Sequence, residues 1–241
     1  MTKRTVVEHI DRLDLRFAQK PWGFAAERRD EIAAYFVDLQ RHKPVVWKGR
    51  VLVLYDMHFS GGELRGAFLE TDFAPYRAWK HWGYPAAGVW DCFAAAAIVG
   101  ADGGWLLGVM GPHTANAGRI YFPCGTPDPS DRSNNRVDLE FSVWRELTEE
   151  TGLRRANVEP ESGWTVVHDG AVVALFKVMQ SRETAAVLRQ RILKTLNSQQ
   201  QPELADIRIV HRPADLDPAM PHFVTTFLMY RWQAEPLPSV T

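Results

Sequence analysis

Two cysteines, Cys92 and Cys124, are all that the 241 residues contain, so no disulfide framework holds this chain together. Long apolar runs are missing too. The most hydrophobic stretch, GVWDCFAAAAIVG, carries an aspartate and is too short to cross a bilayer. MTKRTVVEHIDRLDLRF, at the start, is charged throughout and has no apolar segment of the kind that signals export. A soluble cytoplasmic protein is the expectation, with no membrane partner. Charge of one sign is also lacking. The 28 Lys and Arg nearly cancel the 29 Asp and Glu, leaving −1, which removes strong nucleic-acid binding from the expected functions. Neither an internal repeat nor a low-complexity segment is present, so a solenoid is excluded.

What is there is ordinary globular material, 46% hydrophobic and 24% charged, enough for one large domain or one domain with an elaborated terminus. Trp22, Trp47, Trp79, Trp82 and Trp90 crowd the first half of the chain. They suit a core, a ligand wall or a partner surface such as a homodimer interface. AERRDEIAAYFVDLQRHKP predicts a helix, with Ile32, Tyr35, Phe36 and Leu39 at helical spacing and Pro44 beyond its end. GRVLVLYDMHFSGGELRGAFLETDF predicts a hairpin turning at Ser60-Gly61-Gly62. RAWKHWGYP is an aromatic, basic segment before a boundary near Pro85. A second hairpin is expected around Ala101-Asp102-Gly103-Gly104, then a strand running into the Gly/Pro/Asp loop of GRIYFPCGTPDPSD. Residues 136–151 read as a helix, with two strands expected around His168-Asp169-Gly170. SRETAAVLRQRILKTLNSQQ predicts another helix, ADIRIVH a strand, and DPAMPHFVTTFLMYRW a last helix. This irregular alternation predicts a mixed α/β (α+β) fold, a mixed sheet between helices. Residues 1–85 form an N-terminal α/β extension and residues 86–241 the main domain.

The chemistry concentrates in RELTEETGL, Arg145 to Leu153. On a helix Glu146, Glu149 and Glu150 are related as i, i+3 and i+4 and share one face, where their repulsion costs a few tenths of a kcal/mol per pair. Leu139, Val143 and Leu147 recur every four residues on the face that would bury against the sheet. Gly152 follows where a left-handed cap is expected. Hard oxygen donors grouped in this way suit Mg²⁺ or Mn²⁺, which bind carboxylates together with substrate phosphates.

The order Arg-Glu-apolar-x-Glu-Glu-x-Gly-apolar resembles the C-terminal half of the Nudix box, G-x5-E-x7-R-E-U-x-E-E-x-G-U with U aliphatic. Arg145, Glu146, Leu147, Glu149, Glu150, Gly152 and Leu153 match it position by position. The likeness covers the box and, more loosely, its flanking strands, about residues 88–180. It implies a Nudix-like fold and divalent-cation-dependent cleavage of a nucleoside diphosphate linked to another moiety. Glu146, Glu149 and Glu150 would be the metal ligands, Glu146 also a base, Arg145 a support for the carboxylates, and the Gly125 carbonyl a further ligand.

The first half of the box departs from the pattern. Eight residues before Arg145 stands Val137, not glutamate, whereas six residues after Gly125 stands Asp131. An insertion of RSNNRV between loop and helix reconciles the two. Asp131 and Asp138 are the candidates for the missing acid, with Asp138 favoured slightly for its place on the helix. The family often places another acid on a loop after this helix, and Glu183 is the candidate here, although capping of the next helix explains it as well. His113, Arg119, Tyr121 and Phe122 precede the box and could face a base, while Cys124 reads as a small buried hydrophobe. An inactive Nudix-like nucleotide-binding domain is the alternative to an enzyme, and an aromatic dimerisation scaffold a third.

Overall fold

The computed structural model describes residues 5–42 and 47–234. Its elements begin with β1 (Val6–Ile10), β2 (Arg12–Phe17), α1 (Gly23–Glu27), α2 (Arg29–His42), β3 (Arg50–Ser60), β4 (Glu63–Asp72) and α3 (Phe73–His81). Next come β5 (Val89–Val99), β6 (Trp105–Met110), β7 (Ile120–Tyr121), β8 (Arg132–Ser133), β9 (Arg136–Val137) and α4 (Leu139–Thr151). The chain continues with β10 (Glu159–Pro160), β11 (Trp164–Asp169), β12 (Val172–Gln180), α5 (Ala185–Leu196), β13 (Leu204–Val210) and α6 (His222–Ala234). This is a mixed α+β architecture, one large mixed sheet with helices against it.

At the centre of the sheet runs β5. It pairs in parallel with β12 along nearly its whole length, antiparallel with β3 at its start and antiparallel with β6 at its end. A strand so placed is covered on both faces, which is why Ala94 to Ala97 are all buried and no polar residue alternates with them. Alternation along β12 shows which helix covers which face. Phe176 stacks on Phe227 of α6 with centroids 4.1 Å apart, whereas the next residue, Lys177, feels the charge of Glu140 on α4. α4 and α6 therefore lie on opposite sides. Leu139, Val143 and Leu147 make the buried stripe of α4, all within 1% exposure.

Both expected hairpins form, β3–β4 around Gly61 and Gly62 and β5–β6 around Asp102 and Gly103. Elsewhere the structure differs from the sequence expectations. RAWKHWGYP is mostly helix, the C-terminal part of α3, which stops where Gly83 and Tyr84 turn left-handed at φ 74 and 60. The first expected helix is two, broken at Arg28, whose guanidinium lies 4.5 Å from the Trp82 ring centroid. Pro44 lies outside the described residues. The charged segment TVVEHIDRLDLRF supplies β1, at one edge of the sheet, and β2, beside the two-residue β9; both bury little, and only Ile10 and Leu15 of these strands are fully inside.

Residues before 86 are stitched into the same sheet. β1 pairs with β11 and β2 runs parallel to β4, next to β9. A second aromatic cluster, with Trp22, Phe24, Tyr76 and Trp79 at its heart, packs α1, α2 and α3 on the β3–β4 hairpin. Among the described residues no helix is long and apolar enough to cross a membrane.

Candidate functional site

The Gly/Pro loop after β7 is fastened to the sheet by its backbone. Pro123 and Pro127 carbonyls accept from the N–H groups of Ala96 (2.9 Å) and Leu52 (2.7 Å). Beyond them Pro129–Asp131 make a 3₁₀ turn closed at both ends. Ser130 N–H donates to Asp128 Oδ1 at 2.6 Å, and Asp128 N–H donates to Asp131 Oδ2 at 3.0 Å. RSNNRV then forms the small β8–β9 hairpin, turning at Asn134 with φ 56. The six residues that break the sequence spacing are thus an outward excursion that returns the chain to Asp138.

Asp138 caps α4, accepting from Phe141 N–H at 2.9 Å. This corrects the expectation that favoured it beside the glutamates: it lines a different cavity, with Glu140, Lys177 and Trp164. As a cap it should be worth about 1 kcal/mol, so Asp138→Ala should lower the unfolding free energy measured in urea by that amount. Asp131 is instead the acid at the glutamate helix. Both oxygens of its fully buried carboxylate accept from one nitrogen of the Arg145 guanidinium, Nη2, at 3.1 and 3.2 Å. Burial pushes the Asp131 pKa up against the pull of that arginine and of the Asp128 N–H.

From the same guanidinium a second nitrogen reaches Glu146 Oε1 at 2.7 Å and Glu149 Oε2 at 3.5 Å. The three glutamates nevertheless occupy unlike surroundings. Glu149 is 61% exposed and Glu146 12%, while Glu150 is 4% exposed as a residue. Cys124 N–H donates to the Glu150 carboxylate, yet its Oε2 is buried with no partner. Gly125 lies directly against Glu146, for a Cβ there would stand 2.0 Å from Glu146 Oε1. A glycine is required for that close approach.

Sequence reasoning missed Glu203, at the start of the strand region that pairs β13 with β6. It faces the same cavity as Gly125, Glu146, His113 and Asp128, a space of about 430 Å³. Its charge raises the pKa of both Glu146 and Glu150. No motif marks it, because the fold brings it across from a segment fifty residues downstream of the helix. Desolvation is the main cause that lifts Glu146 to about 7, opposed by Arg145 and reinforced by Glu149, Glu203 and Asp131. Glu150 is raised well above the ordinary range, by burial first and then by Glu146 and Glu203. Removing solvent from several carboxylates at one place leaves a site short of positive charge.

Glu183 is not part of this group. It accepts from Arg191 at 2.6 Å and lines a separate cavity with Arg155 and Glu159. The N-cap of α5 is Thr184, with no side-chain bond, so Glu183 does not cap either. Tyr121 lines the glutamate cavity, whereas Phe122 is core, edge-on to Phe227 at 5.5 Å. Cys124 is a thiol held protonated by burial and by Glu150 and Glu146, which rules out a thiolate nucleophile. Trp79, His81 and Trp82 pack among Trp22, Tyr35 and Phe24 rather than covering the site. Trp47, half exposed, is the tryptophan that reaches the cavity.

No family model matches the chain. No curated protein matches it either. Solved structures do. A Nudix hydrolase from M. smegmatis, RenU, is 15% identical over 62% of this chain and 88% of its own, with a TM-score of 0.37. A MutT protein from Methanosarcina mazei Go1 is 17% identical over 60% and 94%, TM-score 0.41. The E. coli ORF135 protein is 17% identical over 62% and 96%, TM-score 0.36.

The residues themselves decide whether a divalent cation fits. Among the described residues no three carboxylate, imidazole or thiolate groups converge tightly enough to ligate one ion as they stand. Arg145 engages Glu146 Oε1, which holds that carboxylate off its neighbours. The donor chemistry does fit. Glu150 Oε2 is an orphaned buried oxygen, and Glu203 disfavours the charge of both Glu146 and Glu150. A hard cation satisfies both conditions.

Proposed function

We propose that the chain hydrolyses a pyrophosphate bond in a nucleoside diphosphate derivative, a small-molecule substrate, with Mg²⁺ or Mn²⁺ as cofactor. The observation that carries this reading is the buried, unpartnered Glu150 carboxylate oxygen beside Glu146 and Glu203 at Gly125. Glu146, Glu150 and Glu203 would hold the ion, with Glu149 and the Gly125 carbonyl completing the set. The bound cation supplies neutralisation of phosphate charge and a lowered water pKa. The protein's own part is orientation and proton transfer. Arg145, anchored on Asp131, fixes Glu146 through Oε1, leaving Oε2 free to accept a proton from an attacking water. The Asp131–Arg145 pair stands where the box pattern has its first acid and its arginine, and it explains how the pattern survives the RSNNRV hairpin.

The test is phosphate or nucleotide release from a panel of nucleoside diphosphate derivatives and triphosphates, with and without Mg²⁺ or Mn²⁺. Turnover should be absent in chelator and restored by either ion. A second reading, a nucleotide-binding domain without catalysis, is favoured by the ion pair between Arg145 and Glu146. Binding of nucleotides with no release under any metal would establish that reading instead.

A further inference from the structure

Lys177 is a core amine that hydrolysis at the glutamates does not use. It lies on β12, 7% exposed, and its Nζ donates to the Gly163 carbonyl at 3.1 Å. The Trp164 ring lies against it, with 4.8 Å from Nζ to the centroid. Two carboxylates act on it through their charge, Glu140 and Glu161, and among the described residues neither forms an ion pair with it. Glu161 is committed to Arg231, at 3.0 Å. Burial pulls the Lys177 pKa down, and the two glutamates only partly offset it. Lys80 shows the opposite balance. There burial is outweighed by Asp91, 2.6 Å from Nζ, which holds the ammonium above its ordinary range.

Lys177 opens on a cavity of about 690 Å³ between β2, the first turn of α4 and Trp164. This space shares no lining residue with the glutamate cavity. Leu13, Leu15, Val137 and Leu139 give it apolar walls, and Glu140 stands at its α4 side. A desolvated amine in such surroundings is a nucleophile, because the neutral form carries the lone pair that an electrophile needs. The neighbouring charge selects the electrophile. An acyl group would remove the positive charge from the nitrogen, and a carbamate would put a negative one beside Glu140. Condensation with an aldehyde yields an iminium, a cation that Glu140 and the Trp164 ring both favour.

We propose that Lys177 is a covalent binding site for an aldehyde with an apolar or aromatic body, held in this cavity as a Schiff base. The Nζ lone pair bonds to the carbonyl carbon, and the C=O π pair moves to oxygen. That oxygen takes one proton from the nitrogen and one from solvent and leaves as water, so a protonated C=N bond remains. The one N–H left on the iminium still serves the Gly163 carbonyl. The site is independent of hydrolysis at Gly125, and its test needs no turnover. The intact protein is incubated with benzaldehyde at about pH 7, reduced with cyanoborohydride, and its peptides are mapped by mass spectrometry. Lys177 should be benzylated at least about tenfold faster than the exposed Lys20, Lys48 and Lys194, since each unit of lowered pKa raises the neutral fraction about tenfold. Its labelling should saturate with benzaldehyde concentration, whereas theirs rises in proportion, and Lys80 should stay unlabelled. Lys177→Met fills the space without the amine and should lose only that adduct. Uniform labelling, or Lys177 slower than the exposed lysines, overturns the proposal and leaves the amine as a tie to Gly163. Labelling of Lys177 that never saturates overturns it too, because the amine is then reactive without a site for the aldehyde.

Discussion

Glu146→Gln and Glu150→Gln should each cut metal-dependent hydrolysis by roughly two to three orders of magnitude while leaving the metal-free protein at least as stable. Gln keeps the shape and removes a charged donor, so the cation loses its ligand and the helix loses a repulsion. Glu149→Gln should do less, because its carboxylate is 61% exposed and solvent already screens it. The pH dependence of stability carries the same signature. Glu146 has a folded pKa of about 7, above its ordinary value of 4.5, so the folded protein keeps a proton that the unfolded chain has released. Stability should therefore fall as pH rises from about 4.5 to 7, and Glu150, raised further, extends the decline. The Gln variants should flatten that slope in thermal melts. Added Mg²⁺ or Mn²⁺ should stabilise the parent most above pH 7, where the carboxylates are charged, and the variants little. Parent-like hydrolysis in both Gln variants would sink the metal-site reading; an unchanged pH slope would sink the account of the buried carboxylates.

Much of this was legible in RELTEETGL and in the spacing of Leu139, Val143 and Leu147, because a helix repeats every 3.6 residues and records its own buried face. The hairpins were legible for a similar reason, glycines at turns between apolar runs. What could not be read was long-range. Glu203 comes to the site because β13 pairs with β6, and no local pattern encodes that pairing. The choice between Asp131 and Asp138 depended on whether RSNNRV continues the helix or leaves it. Once those residues form β8 and β9, Asp138 sits at the cap and Asp131 faces Arg145. β1 and β2 escaped notice because their charged residues face solvent and only one side chain in each is fully buried.

Arg145→Ala should be among the most destabilising single changes in the protein, about 3–5 kcal/mol in urea or guanidinium unfolding at pH 8. Surface arginines are seldom worth a third of that. Here the partner is Asp131, whose side chain has no exposure at all and whose two oxygens both depend on this guanidinium. Without it the carboxylate keeps only the Asp128 N–H for a partner. Lysine has one nitrogen where arginine uses two to reach Asp131 and Glu146 at once, so Arg145→Lys should recover little. The loss should shrink at lower pH. Burial already raises the Asp131 pKa with the arginine in place, and removing the arginine raises it further. The folded variant can then take up a proton that relieves the stranded charge, so Arg145→Ala should cost less at pH 5 than at pH 8. Asp131→Asn placed on top of Arg145→Ala should restore part of the stability at pH 8, because an uncharged amide is cheaper to bury alone. A loss under about 1 kcal/mol, or one that ignores both pH and Asp131→Asn, would mean that the pair is only a surface contact. The glutamate helix would then need another support for Glu146.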